Sequence, residues 1–111
     1  MSAIYTLVTD LGGEIAIPDK GIHSHTVHND DNVKVVLFGF APGQELTAHT
    51  APMPAIVHIL EGEAMLTLGP DHVEVKAGAL IHMAPELTHG IVAKTPLRML
   101  LTLVKAARNE K

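Results

Sequence analysis

Gly43-Gln44-Glu45-Leu46-Thr47-Ala48-His49, then Ala55-Ile56-Val57-His58-Ile59-Leu60, closed by Glu61-Gly62, reads as two short strands set between turn signals. Each run is too short for an amphipathic helix and is bounded by glycine or proline, as strands are. Outward from this stretch, runs of the same kind recur about every ten residues, the spacing of an all-β sandwich or barrel. They are Ile22–His28, Val33–Phe40, Glu45–His49, Ala55–Leu60, Ala64–Leu68, His72–Val75, Leu80–Met83, Gly90–Ala93 and Leu97–Val104. The separators include Asn29-Asp30-Asp31-Asn32, Pro42-Gly43, Gly69-Pro70-Asp71, Ala77-Gly78 and Thr95-Pro96, all rich in turn-forming residues. No long 3.6-residue repeat competes with this pattern.

A second block, from Gly78 through Ala84-Pro85-Glu86 to Thr88-His89, completes the picture. Together the two blocks resemble the paired motifs of the cupin superfamily. The first motif, G-x5-H-x-H-x3-E-x6-G, laid from Gly43 to Gly62, keeps His49 and both glycines but meets Ala51 and Ala55 at the second histidine and the glutamate. The second, G-x5-P-x-G-x2-H, laid from Gly78, returns His89, with Ala84 at the proline position and Glu86 where glycine is usual. The resemblance runs from about Val33 to Val104. It implies a single-domain, all-β cupin-like double-stranded β-helix (jelly-roll barrel) in which His49 and His89 meet inside the barrel mouth.

At 111 residues the chain is one domain, long enough to bury a sizeable core. Residues 1–30 read as an N-terminal strand segment that contributes to a dimer interface, its Ile4–Ile17 part expected to add an edge strand or to reach across to the partner, 31–105 as the barrel, and 106–111 as a polar tail. Several runs are apolar on both faces, such as Ile56, Val57, Ile59 and Leu60, or Met99, Leu100, Leu101 and Leu103. A sheet that faces water should alternate, so a covering partner is expected, and a homodimer is the simplest.

Eight Lys and Arg against twelve Asp and Glu give a formal net charge of −4, with no basic stripe. Nucleic-acid binding needs a positive face and is not expected. No apolar stretch approaches the roughly 20 residues of a membrane span. The chain lacks cysteine, which removes disulfides and thiolate chemistry and suits a reducing compartment, so a cytoplasmic protein is expected.

The informative excess is eight histidines, since imidazole is both the commonest metal ligand and the usual acid or base near neutral pH. His49 and His89 are the leading pair. A bound divalent transition metal (Fe, Mn, Ni or Zn) would need a third protein ligand, because sites of the zinc type usually have three. The candidates are His25, Glu45 and His58. Glu45 shares strand parity with His49 unless a bulge intervenes, His25 forms an H-x-H pair with His23, and His58 faces inward only if Pro52-Met53-Pro54 shifts the register. Ala51 and Ala55 remove polar side chains from the expected cup, leaving Met53, Val57 and Met83, with Leu101 and Leu103, to line it.

Such a cavity suits a small organic ligand with an apolar body and one polar end. The alternatives are a metal-dependent cupin enzyme of the oxygenase, isomerase or hydrolase class, acting on a small organic acid or phenol, and a metal-free enzyme using the histidine pair as acid and base. Aromatic residues are scarce, only Tyr5, Phe38 and Phe40, which argues against a carbohydrate platform.

Overall fold

The computed structural model describes residues 4–105. It contains nine strands: β1 (Ile22–Asn29), β2 (Val33–Phe40), β3 (Glu45–His49), β4 (Ala55–Glu61), β5 (Glu63–Leu68), β6 (Asp71–Lys76), β7 (Leu80–Met83), β8 (His89–Ala93) and β9 (Leu97–Val104). Every predicted strand is present with its ends displaced by at most one residue. The strands form two facing sheets, a five-stranded one ordered β1-β2-β9-β4-β7 and a four-stranded one ordered β3-β8-β5-β6. All the pairings are antiparallel.

Side-chain alternation dictates what lies between the sheets. Phe38 and Phe40, two apart on β2, both face inward with ring centroids 6.1 Å apart. Phe40, Ile59 and Leu97 are completely buried and close one end of the sandwich. Among the described residues no polar side chain is buried, and no buried side-chain nitrogen or oxygen lacks a hydrogen bond. No described helix is long and apolar enough to cross a membrane.

The doubly apolar character of β2 has a partial explanation within the chain. Leu37 points away from the inter-sheet core yet is 0% exposed. The N-terminal segment lies over this outer face, and it is neither strand nor helix apart from a 3₁₀ turn at Leu11–Glu14. Ile15 is buried there, and its carbonyl accepts a 2.9 Å hydrogen bond from Arg98 Nε on β9. The ion pair between Arg98 and Glu61 holds the same guanidinium in place. Residues 4–17 thus cover part of the five-stranded sheet as an extended strap and add no strand of their own, the edge strand being β1. Residues 106–111, expected to form a polar tail, lie outside the described residues.

The β1–β2 hairpin is organised by Asp30. Its Oδ1 accepts hydrogen bonds from the backbone N–H groups of Asn32 (2.7 Å) and Val33 (2.8 Å), and its Oδ2 lies 2.6 Å from His28 Nε2. The His28 bond first, then those from Val33 and Asn32, lower the Asp30 pKa from 3.8 to about 2. Folding therefore favours the carboxylate. The stabilisation is complete above pH 3.8 and is lost as pH falls through about 2. Acid titrations followed by circular dichroism should accordingly show a shallower loss of stability between these two values in Asp30→Asn than in the parent protein. An unchanged slope would remove Asp30 from the acid response.

Candidate functional site

His49 ends β3 and His89 begins β8, and the two are direct cross-strand partners. Opposed residues on one face of an antiparallel pair have neighbouring side chains, and the two imidazole centroids are 4.5 Å apart with planes inclined by 55°. Forty positions of sequence separate them. Strand pairing alone removes that distance.

Both rings are anchored in the same way. His49 Nδ1 donates to the Thr47 carbonyl at 2.9 Å, and His89 Nδ1 donates to the Leu87 carbonyl at 2.8 Å. A carbonyl can only accept, so each neutral ring carries its proton on Nδ1 and presents Nε2 as a bare acceptor. Neither Nε2 has a hydrogen-bond partner among the described residues. His49 is exposed at the mouth and His89 is half-buried.

The pair stands at the edge of a cavity of about 260 Å³ between the sheets. The five-stranded sheet contributes Phe38, Val57, Met83, Met99 and Leu101, and the four-stranded sheet contributes Leu46, Leu66, Leu68, Gly90 and Ile91 beside the histidines. Apart from the two imidazoles the lining is apolar.

The local geometry of β3 decides which neighbours join the site. Leu46 and His49 both line the cavity although they are three apart, which a regular strand forbids. A bulge between them, where the pairing with β8 shifts register, reconciles the two. Gly90 permits the close approach of strands there, because a Cβ on it would lie 3.0 Å from both Ala48 N and Leu46 O. The bulge also overturns the parity argument for Glu45. That residue pairs with Val92, lies exposed and does not line the cavity.

The other candidate ligands go elsewhere for equally simple reasons. His25 pairs with Leu37 on the outer face, where its Nε2 lies 3.7 Å from Glu14 Oε1. His58 alternates with Val57, which faces the cavity, so it lies on the outer face opposite Leu80 and Leu100. His82 sits beside it, opposite Ile56. Among the described residues no group of three or more His, Cys, Asp or Glu side chains is placed to hold a metal ion. The donor set therefore does not fit a metal held by three protein ligands.

Of the residues expected to form the pocket, the cavity brings together His49, His89, Val57, Met83 and Leu101. Ala51 and Met53 lie in the bend between β3 and β4, where strand alternation does not apply. Ala55 is buried in the sheet between Met83 and Leu103 and packs in the core instead of lining the cavity. Leu101 lines the cavity and Leu103 packs against the core instead. Phe38, Leu66, Leu68, Ile91 and Met99 were missed, although continuing the inward parity along β2, β5, β8 and β9 reaches them all.

The turn before His89 carries one strained residue. Glu86 has φ +68°, in the left-handed region, and occupies the position where the cupin motif has glycine. Its N–H donates to the Ala51 carbonyl at 2.8 Å, tying this turn to the β3–β4 bend. Relief of the left-handed penalty, offset by the greater unfolded-state entropy of glycine, gives an expected gain of about 0.5–1 kcal/mol for Glu86→Gly. Urea denaturation would measure it. A loss of stability would show that the Glu86 side chain makes a compensating interaction.

A two-sheet jelly-roll sandwich holding a paired-histidine cavity defines a small barrel-type protein with a small-molecule-sized hollow. The cupin domain family model matches residues 36–103, and the chain belongs to that family. It is similar to a conserved protein of unknown function from Streptococcus pyogenes, at 30% identity and a TM-score of 0.84, over 100% of this chain and 98% of that one. A cupin superfamily protein from Desulfitobacterium hafniense shares the fold at 20% identity and a TM-score of 0.83, over 93% of this chain and 98% of that one. An RmlC-like cupin from Desulfovibrio desulfuricans aligns at 26% identity and a TM-score of 0.80, over 91% and 98% respectively. No curated protein matches the chain.

Proposed function

We propose that this cupin is a binding protein for a small organic molecule, held between the sheets with its polar end at His49 and His89. The observation that carries the reading is the cavity itself: a void of about 260 Å³ with an apolar lining that includes Phe38, Met83 and Met99, and two imidazole acceptors at one edge. An apolar cavity of about 150 Å³ accommodates a benzene-sized molecule, so this one suits roughly ten non-hydrogen atoms. Apolar burial supplies the affinity, and the histidines orient the ligand.

Thermal-shift screening of untagged protein, with chelator present, against small alcohols, phenols, acids and hydrocarbons tests the proposal. Stabilisation by compounds of this size, competitive with one another, is the expected result. Stoichiometric Fe, Mn, Ni or Zn that survives chelation and disappears in His49→Ala and His89→Ala would replace it with the metal-dependent reading.

The same chain is proposed to work as a homodimer in the cytoplasm. Ile56, Leu60 and Leu100 are only half-buried on the outer face of the five-stranded sheet, beyond the reach of the N-terminal strap, and Leu80 beside them is 69% exposed. Pairing of two such faces would cover them. Sedimentation equilibrium at micromolar concentration should give twice the monomer mass; a clean monomer contradicts the dimer.

A further inference from the structure

From the ring anchoring, and resting on the reading that the cavity holds a small organic molecule, we infer that the ligand's polar end is an uncharged hydroxyl that donates to the histidine pair. Thr47 O and Leu87 O each take the Nδ1 proton of one ring. What remains at the cavity edge is two acceptors and no donor, since Gly90 and the apolar lining contribute no polar side chain. A carboxylate, an ether or a ketone offers only further lone pairs to such an edge. A hydroxyl supplies the missing proton, and its apolar body fills the rest of the void. Because the two rings are 4.5 Å apart, one oxygen can stand near both and donate to either.

The backbone origin of the anchoring matters. Both carbonyls belong to the residue two positions before the histidine, so the proton position is set by the β3 bulge and the β7–β8 turn and not by a side chain that could rotate away.

Calorimetric titration with three probes of nearly equal size tests the inference: 4-ethylphenol, its isostere 4-ethyltoluene and the anion 4-methylbenzoate. The buffer is near pH 8, where free imidazole is neutral, and contains chelator. The phenol should bind more tightly than the benzoate. In the double variant His49→Leu, His89→Leu its affinity relative to 4-ethyltoluene should fall at least about tenfold, because the hydroxyl then enters without a partner. Retained binding of 4-ethyltoluene by the variant verifies that the cavity is intact; if the leucines abolish it, the same ratio is read in His49→Phe and His89→Phe singly. A phenol-to-toluene ratio that is the same in parent and variant overturns the inference while leaving the cavity reading in place, as does tightest binding by the benzoate. Binding of none of the three by the parent protein overturns both.

Discussion

Replacing Gly62 with alanine is expected to destabilise the protein by about 2–5 kcal/mol, a large part of the roughly 5–15 kcal/mol typical of a domain. Gly62 joins β4 to β5 with φ +91°, and a Cβ there would stand 2.1 Å from the Pro96 carbonyl oxygen and 2.8 Å from Thr95 Oγ1. Neither obstacle is a flexible side-chain end. Pro96 O is backbone, and Thr95 Oγ1 is held by donating to it and by accepting from Glu63 N at 2.9 Å. The β8–β9 turn would have to move away from the β4–β5 link, loosening both sheets at once. Gly21→Ala provides the comparison, since Gly21 has φ +78° but nothing within 4 Å of its would-be Cβ. It should cost only the backbone term, about 1 kcal/mol. Thermal unfolding should separate the two variants by at least about 4 °C, since they differ by roughly 1–4 kcal/mol and each kcal/mol shifts the midpoint by about 4–8 °C. Equal midpoints would show that the contact with Pro96 is not made.

The second large effect concerns binding. Leu101 lines the cavity from β9, opposite Val36 and Val57, so Leu101→Trp directs an indole into the space assigned to the ligand. Affinity for any compound of the proposed class should drop roughly 100-fold, while stability changes by less than the 1–3 kcal/mol typical of overpacking, because the void accepts the added volume. Ile59→Trp is the contrasting variant. Ile59 is 0% exposed in the filled end of the sandwich, and the same ring there should destabilise by the full overpacking cost or more. Calorimetry and denaturation on both variants measure the pair of effects. Undiminished binding by Leu101→Trp would place the ligand outside the cavity.

How much of this was legible in the residues depends on which physical rule governed each position. The strands were readable because short apolar runs between turn residues have few other solutions, and the resemblance of the two motif halves implied that His49 and His89 share the barrel mouth. Continued alternation would also have reached Phe38, Leu66 and Met99. The β3 bulge was not readable. It depends on how closely β3 approaches Gly90 of β8, a contact between residues far apart in the chain with no local signature, and it turns Glu45 away while bringing Leu46 in. The covering of Leu37 was hidden for a related reason. Two apolar faces announce that something packs on each, but not whether it is a partner or, as at Ile15, the chain's own N-terminal strap. Glu86 shows the opposite case. The motif marks its position as one for glycine, and the backbone adopts the left-handed conformation that glycine would accept, with glutamate in place.

The most direct test of the account is a nuclear Overhauser spectrum of protein labelled at histidine, recorded without ligand. Ring centroids 4.5 Å apart predict a cross-peak between the ring hydrogens of His49 and His89 that vanishes in either His→Ala variant. Absence of that cross-peak, in a spectrum where His89 still reports its neighbour Leu68 across β5, would contradict the paired-histidine cavity on which the functional reading stands.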